Sequence, residues 1–303
     1  MALRGPGDRA AALQDPPQVA DAPRFPSRLE RFDVVASSND VVASWLGDGT
    51  AEACVAVADA QTAGRGREGR TWLAPAGAAL LLSVGFRPTW LAPERTWRLA
   101  AIVALAMADA AEDVAGLAEG TIRLKWPNDL VIAFGSNGRP IGGAATIARD
   151  RPVEVRKLAG LLGETIGLGG PDPRAVVGIG LNADWAREAF PPDLAPEMTS
   201  LREASGGRPI DREVLLDGFL ARLETRLAAL RGGYFDVAGW VGRQLTSGRL
   251  VRLGRPDGSS EVVRAVGVDA LTGALLVAGA DGAEHAVLAG EIHHLRLDDR
   301  AGV

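Results

Sequence analysis

The apolar and polar positions change period several times along the chain, and each change predicts an element. Residues 1–30 are rich in Pro, Ala, Arg and Asp without periodicity, and read as a disordered tail. Residues 32–36 are strand-like, and Ser37 or Ser38 stands where a helix to Leu46 needs its cap. The runs ACVAVA (53–58) and ALLLSVGF (79–86) are continuous apolar stretches of strand length. Pro93 opens a helical stretch to about Val114, with Pro in the permitted first turn. Residues 122–125 form a short strand, broken by Trp126-Pro127-Asn128-Asp129. Residues 158–164 and 175–181 are further strands, and Asp211 caps an amphipathic helix to Leu230. Residues 130–156 read as a loop or hairpin excursion around an Asn137-Gly138 turn.

After Ser247 the texture becomes short strands at 249–253, 262–268, 274–278, 285–288 and 292–297. Asp257-Gly258, Thr272-Gly273 and Asp281-Gly282 separate them as turns. The expectation is an α+β or mixed α/β domain over 31–246, followed by a five-stranded, SH3-like barrel over 247–303.

Composition narrows the possible functions. Of 303 residues, 47% are hydrophobic, enough for a sizeable core, and the net charge of −5 argues against generic nucleic-acid binding. No apolar run reaches the roughly 18–20 residues that span a bilayer, and no secretory apolar region opens the chain. A single cysteine, Cys54, excludes a disulfide framework, points to a cytoplasmic setting and reads as a buried small hydrophobe. The basic residues are 31 Arg and only two Lys, Lys125 and Lys157. A surviving lysine stands either by chance or because a compact point charge does what a wide guanidinium cannot.

The segment AGRGREGRTW (63–72) has the Gly64-x-Gly66-x-x-Gly69 spacing of a dinucleotide turn. Such a turn must open a helix, yet residues 71–77 lead into the strand at 79–86, so the match is accidental. What remains is a glycine-rich, strand-to-strand loop with Arg65, Arg67 and Arg70. It is either a solvated surface loop or a flap that folds over a small anion. Lys125 ends one strand and Lys157 begins another; both could converge on phosphates or simply guard sheet edges. His293 and His294 alternate faces of a strand, and His285 alone adds no metal cluster. Trp90, Trp97, Trp185 and Trp240 read as packing residues.

In order, GRGREGR, KWPND (125–129) and KLAGLLGE (157–164) resemble the biotin–protein ligase family. Ser37-Ser38-Asn39 is similar to that family's Ser-Thr-Asn element. Gln61 matches the Gln before its loop, Gly178-Ile179-Gly180-Leu181-Asn182 its Gly-Ile-Gly-x-Asn strand, and Gly290-Glu291-Ile292 the end of its C-terminal module. The resemblance covers about residues 31–298. Three departures stand out. Glu68 replaces an often basic residue, the 130–156 segment is about 20 residues longer than in compact members, and a DNA-binding domain is expected to be absent.

The resemblance implies a class II synthetase-like mixed sheet with an SH3-like C-terminal barrel. It implies an enzyme that makes biotinyl-5′-AMP from biotin and ATP with Mg²⁺, then biotinylates a lysine of the biotin carboxyl carrier domain of acyl-CoA carboxylases. It further implies a cytoplasmic monomer or weak homodimer with no nucleic-acid or membrane partner. Catalysis would fall to Lys157, Arg67, Asp129 and Lys125, although Lys125 also reads as structural. Biotin would meet Ser37, Ser38, Asn39, Gln61, Gly64, Arg65, Gly66, Trp72, Gly160 and Leu162. ATP and the adenylate would meet Arg67, Asn128, Lys157 and Asn182. The Gly/Arg loop becomes a lid that keeps water from the adenylate. Lipoate or octanoate ligation and a non-catalytic biotin sensor are the competing readings.

Overall fold

The computed structural model describes residues 25–142, 147, 153–254, 258–279, 282–288 and 291–294. The larger unit is built on seven strands: β1 (Arg28–Val35), β2 (Cys54–Gln61), β3 (Ala79–Phe86), β4 (Ile122–Lys125), β5 (Asp129–Phe134), β6 (Glu154–Ile166) and β7 (Arg174–Asn182). Their order is β1-β2-β3-β7-β6-β5-β4. Only β1 and β2 run parallel; the other neighbours are antiparallel, so the sheet is mixed.

The continuous apolar runs are explained by cover on both faces. Along β2, Val55 and Val57 join the main core with helix α2 (Trp97–Ala115) and helix α4 (Arg212–Arg231). The alternate residues Cys54 and Ala56 instead pack with Val42, Trp45 and Leu46 of helix α1 (Ser38–Gly47). All eight residues of β3 are buried between these layers. In α4, Leu216, Phe219, Leu220, Leu223, Leu227 and Leu230 supply the apolar stripe, and Asp211 accepts hydrogen bonds from the Glu213 and Val214 N–H groups. Two short helices, α3 (Leu201–Ala204) and α5 (Val237–Gly242), flank α4.

The structure moves several expected boundaries. The first strand begins at Arg28, inside the expected tail, because pairing with β2 extends it. Residues 1–24 of that tail lie outside the described residues. Pro93–Arg95 is a 3₁₀ turn, and α2 proper starts at Trp97. Ser37 is the N-cap of α1 with extended backbone, but its side chain makes no capping bond. The two ends of the 130–156 excursion pair as antiparallel strands: β5 was hidden in it, and β5 pairs with β6 from Asp129↔Gly160 to Phe134↔Glu154, while residues 143–146 and 148–152 lie outside the described residues. Gly138 does take the turn conformation, with φ +71°.

The smaller unit is an antiparallel sheet of β8 (Leu250–Gly254), β9 (Ser260–Val268), β10 (Leu275–Ala278), β11 (Glu284–Val287) and β12 (Glu291–His294), ordered β11-β10-β9-β8-β12. Its core includes Trp126 from the larger unit. The Trp126 indole donates to the Gly273 carbonyl at 3.0 Å, and Trp97 donates to Leu271 at 3.1 Å. Gly273, with φ +75°, lies so close to Trp97 that a Cβ there would sit 2.8 Å from the ring. The Thr272-Gly273 turn thus carries the docking contact. Of the other two expected turns, Asp257 and Asp281 lie outside the described residues.

Candidate active site

One cavity of about 620 Å³ opens beside the β4–β5 turn, β6, β7, the start of α1 and the 64–72 loop. It is lined by Ser37, Ser38, Asn39, Gln61, Arg65, Gly66, Arg67, Trp72, Lys125, Asn128, Asp129, Lys157, Gly160, Leu162 and Asn182. These are all the residues given a catalytic or binding role above except Gly64. That glycine sits behind the wall, where a Cβ would lie 2.5 Å from the Trp72 carbonyl oxygen.

The loop is a pinched hairpin. Trp72 N–H donates to Gly64 O at 2.9 Å, Gly66 N–H donates to Arg70 O at 2.6 Å, and Arg65 bridges Thr71. Residues 67–69 make a single 3₁₀ turn with Glu68 at φ 56°, and the chain then runs on to β3. No helix opens after the glycines, as the sequence required. Arg65 does grip anions, but the ones it holds here are the protein's own. Its guanidinium meets both Asp40 oxygens at 2.9 and 2.7 Å and Glu164 at 3.2 Å. That hydrogen bonding holds the Asp40 carboxyl below the usual carboxylate range and raises the Arg65 pKa further. Arg70 reaches Glu68 at 3.2 Å, while Arg67 lines the cavity.

The floor is made of missing side chains. Gly160 and Gly180 are cross-strand partners on β6 and β7. A Cβ on Gly180 would fall 2.6 Å from the Trp72 indole, and one on Gly160 would fall 3.2 Å from both Trp72 and Lys157. The indole therefore lies against bare backbone, with its Nε1 buried and lacking an acceptor. Gly178 gives the same room to the Asn39 amide oxygen. From there a polar chain crosses the floor. Ser83 Oγ donates to Asn39 Oδ1 at 2.6 Å, Ser38 and Ser83 hydroxyls stand 2.7 Å apart, and the Ser38 N–H donates to Gln61 Oε1 at 2.7 Å. With the Ser83 proton on Asn39, the single Ser38 hydroxyl proton has two acceptors in reach, Ser83 Oγ at 2.7 Å and Gln61 Oε1 at 3.1 Å.

The opposite wall carries the charges. Lys157 Nζ stands 2.8 Å from Asp129 Oδ1 and 5.5 Å from the Trp72 ring centre. At that distance the ammonium and the largely buried carboxylate form a close ion pair. Lys125 is the register partner of Asp129 across the β4–β5 turn. Asn128 clamps that turn onto β6: its amide donates to Leu161 O, and Leu161 N–H donates back to Asn128 O, both at 2.8 Å. Asn182 is buried and donates to Thr199 O at 2.9 Å, so its amide also orders the wall. Trp185 lines the cavity, but its indole N–H is spent on Ala189 O, consistent with packing.

Four contributors escaped the sequence reading. Ser83 was detectable as the one hydroxyl inside ALLLSVGF. Glu164 stood in a quoted motif without a role. Glu197 and Met198 carry no local signal; they arrive because Lys157 N–H bonds Glu197 O and Thr199 N–H bonds Lys157 O. Among the described residues no group of three His, Cys, Asp or Glu could cage a metal, and no helix is long and apolar enough to cross a membrane.

Comparison with known proteins converges on the same elements. The model of the biotin/lipoate A/B protein ligase family matches residues 32–182, and that of the biotin protein ligase C-terminal domain matches residues 246–295. A biotin--[acetyl-CoA-carboxylase] ligase of Mycobacterium tuberculosis is 32% identical over 276 residues, covering 89% of this chain and 91% of its own length. Its counterpart in Paracoccus denitrificans is 32% identical over 228 residues, covering 72% and 80%. The biotin protein ligase from Aquifex aeolicus, solved in complex with biotin and ATP, superposes with a TM-score of 0.67 at 25% identity over 89% of this chain and 99% of that one. This chain belongs to the biotin protein ligase family.

Proposed function

We infer that the chain activates biotin with ATP to biotinyl-5′-AMP and transfers the biotinyl group to a lysine of a biotin carboxyl carrier domain. The observation that carries this is convergence. GRGREGR, KWPND, KLAGLLGE and GIGLN, spread over more than a hundred residues, supply the walls of a single cavity. We assign the smaller sheet to an SH3-like module and the larger one to a class II synthetase-like domain, in a cytoplasmic protein that is a monomer or weak homodimer.

In the first step a biotin carboxylate oxygen bonds the α-phosphorus of ATP while the bond to the bridging oxygen breaks and pyrophosphate leaves. Two anions must meet, so fixed positive charge is needed where they approach. Lys157 supplies a point charge and Arg67 a second from the loop. Ser38, Asn39 and Gln61 read the polar head of biotin, with Trp72, Gly160 and Leu162 against its body. Asn128 and Asn182 border the adenosine side. In the second step the acceptor lysine amine attacks the acyl carbon, AMP leaves, and a proton must go from the amine. We assign the orientation of that amine to the Asp129 carboxylate, which is ion-paired with Lys157 on the cavity wall.

Mg²⁺ fits only as a companion of the ATP phosphates. The carboxylates on the cavity wall are Glu68, Asp129 and Glu197, and Asp129 is already paired with Lys157. The ion supplies charge neutralisation on the phosphates, and no protein step above depends on it.

Biotin-dependent exchange of labelled pyrophosphate into ATP, with lipoate run in parallel, tests the reading. Exchange with biotin alone is expected. Exchange with lipoate alone would transfer the chain to the lipoate branch, and binding of biotin without exchange would make it a sensor.

A further inference from the structure

We propose that Glu164 is a positioning residue that ties the polar floor of the cavity to the hold on the 64–72 loop. The proposal rests on the functional reading above, in which that loop covers the adenylate. No step of the reaction uses Glu164, yet it sets a negative charge beside a pocket for anionic substrates. Left alone it would oppose their binding. It is engaged on both sides instead. On the inner side Oε2 accepts from Asn39 Nδ2 at 2.5 Å. On the outer side both oxygens stand 3.2 Å from Arg65 Nη2, on the loop.

Asn39 has no freedom to turn away. Ser83 donates to its Oδ1, and the amide oxygen fills the space that a side chain at Gly178 would need. Its NH₂ group is thereby aimed at Glu164. Arg65 is also held by Asp40, the next residue of α1, through both Nη1 and the Nη2 that meets Glu164. One carboxylate thus orients the floor amide and, with Asp40, fixes the loop guanidinium. A ligand that locks Ser38 and Asn39 also locks Glu164, and through it the base of the loop. An exposed ion pair alone is worth little, and the Arg65 and Glu164 side chains are 38% and 41% exposed. The effect comes from sharing one carboxylate between two partners that are themselves fixed.

Glu164→Gln keeps an acceptor for Asn39 and removes the charge that Arg65 meets. Two rates are read: trypsin cleavage after Arg67 and Arg70 in the unliganded chain, and dissociation of biotinyl adenylate from the loaded protein. Both are expected to rise roughly tenfold, with thermal unfolding unchanged within a few degrees. Arg65→Met should produce the same increase, and the double variant no more than either single one. Rates within twofold of the parent in Glu164→Gln, or increases that multiply in the double variant, would overturn the proposal. If Glu164→Gln does not fold, Arg65→Met decides alone: parental cleavage and release overturn the coupling. A parent chain without biotin-dependent exchange would defeat the functional reading, while the trypsin arm on the unliganded chain would still judge the Glu164 link.

Discussion

Lys157 Nζ lies 2.8 Å from Asp129 Oδ1, across two strands whose ladder slips by one residue between Leu130 and Val131. That irregularity pairs Lys157 with Val131 and brings its ammonium alongside the first residue of β5. Glu197 and Thr199 then fix the Lys157 backbone from outside the ladder. The charge is held by a fold defect on one side and a loop on the other. Its position is therefore specific to an unbranched, four-carbon side chain.

Lys157→Arg should fail despite keeping the charge. The ammonium lies over the space a side chain at Gly160 would take, 5.5 Å from the Trp72 ring centre and 2.8 Å from Asp129, and a guanidinium is wider. Biotin-dependent pyrophosphate exchange is expected to fall on the order of 10²–10³-fold, the usual effect of losing one preorganised donor. Near-parental exchange would remove the point-charge argument.

Gly180→Ala should lift the Trp72 indole from the floor, because its new methyl would sit 2.6 Å from the ring. Overpacking of this kind costs about 1–3 kcal/mol, so biotin affinity by calorimetry should weaken by roughly 5–150-fold. Unchanged affinity would show that the pocket accommodates the indole elsewhere.

Arg67→Gly removes a loop charge from the cavity wall while leaving Lys157 and the floor intact. The variant should release biotinyl adenylate and label lysines of unrelated proteins in the mixture. Mass spectrometry of a bystander protein reads this directly. Retention of the adenylate at the parental level would contradict the lid role.

The Asp40–Arg65 contact predicts a pH dependence. A carboxyl with a lowered folded pKa stabilises the fold above its unfolded value, about 3.9, and the contribution disappears as pH falls through the folded value. The pair is 57% and 38% exposed, so the contribution is under about 1 kcal/mol. Hydrogen exchange of the loop, corrected for the intrinsic rate, should be constant from pH 7 to 5 and rise below about 4. Asp40→Asn should show the faster exchange already at pH 7; protection equal to the parent there would exclude the contact as a hold on the loop.

Trp126→Ala should loosen both units at once. Trp126 is buried in the core of the smaller sheet and begins the turn that carries Asn128 and Asp129. A loss of about 3–5 kcal/mol is expected from truncating a buried aromatic. Chemical unfolding should show it, together with weaker exchange activity. Lost stability with normal activity would mean that the turn is set by Asn128 alone.

Much of the site was legible because its residues violate their surroundings. Two lysines among 31 arginines, and glycines inside apolar strands, are local anomalies that a single chain displays. The residues that stayed hidden, Glu164, Glu197 and Met198, look ordinary where they stand. β5 was hidden too, since DLVIAF follows a turn and precedes a long polar stretch whose return strand begins only at Glu154.

What the linear chain determined by itself was the set of parts: buried-strand runs, the Asp211-capped helix, the glycine–arginine loop and the residue types fit for acyl-adenylate chemistry. These follow from short-range sterics and from periodicity, which act within a few residues. Tertiary structure alone decided which charges meet. Arg65 found Asp40 and Glu164, Lys157 found Asp129, and Trp126 entered the core of the smaller sheet. Those pairings depend on strand register and on the packing of distant segments, and a one-residue change of register would send Lys157 and Glu164 of β6 to the other face.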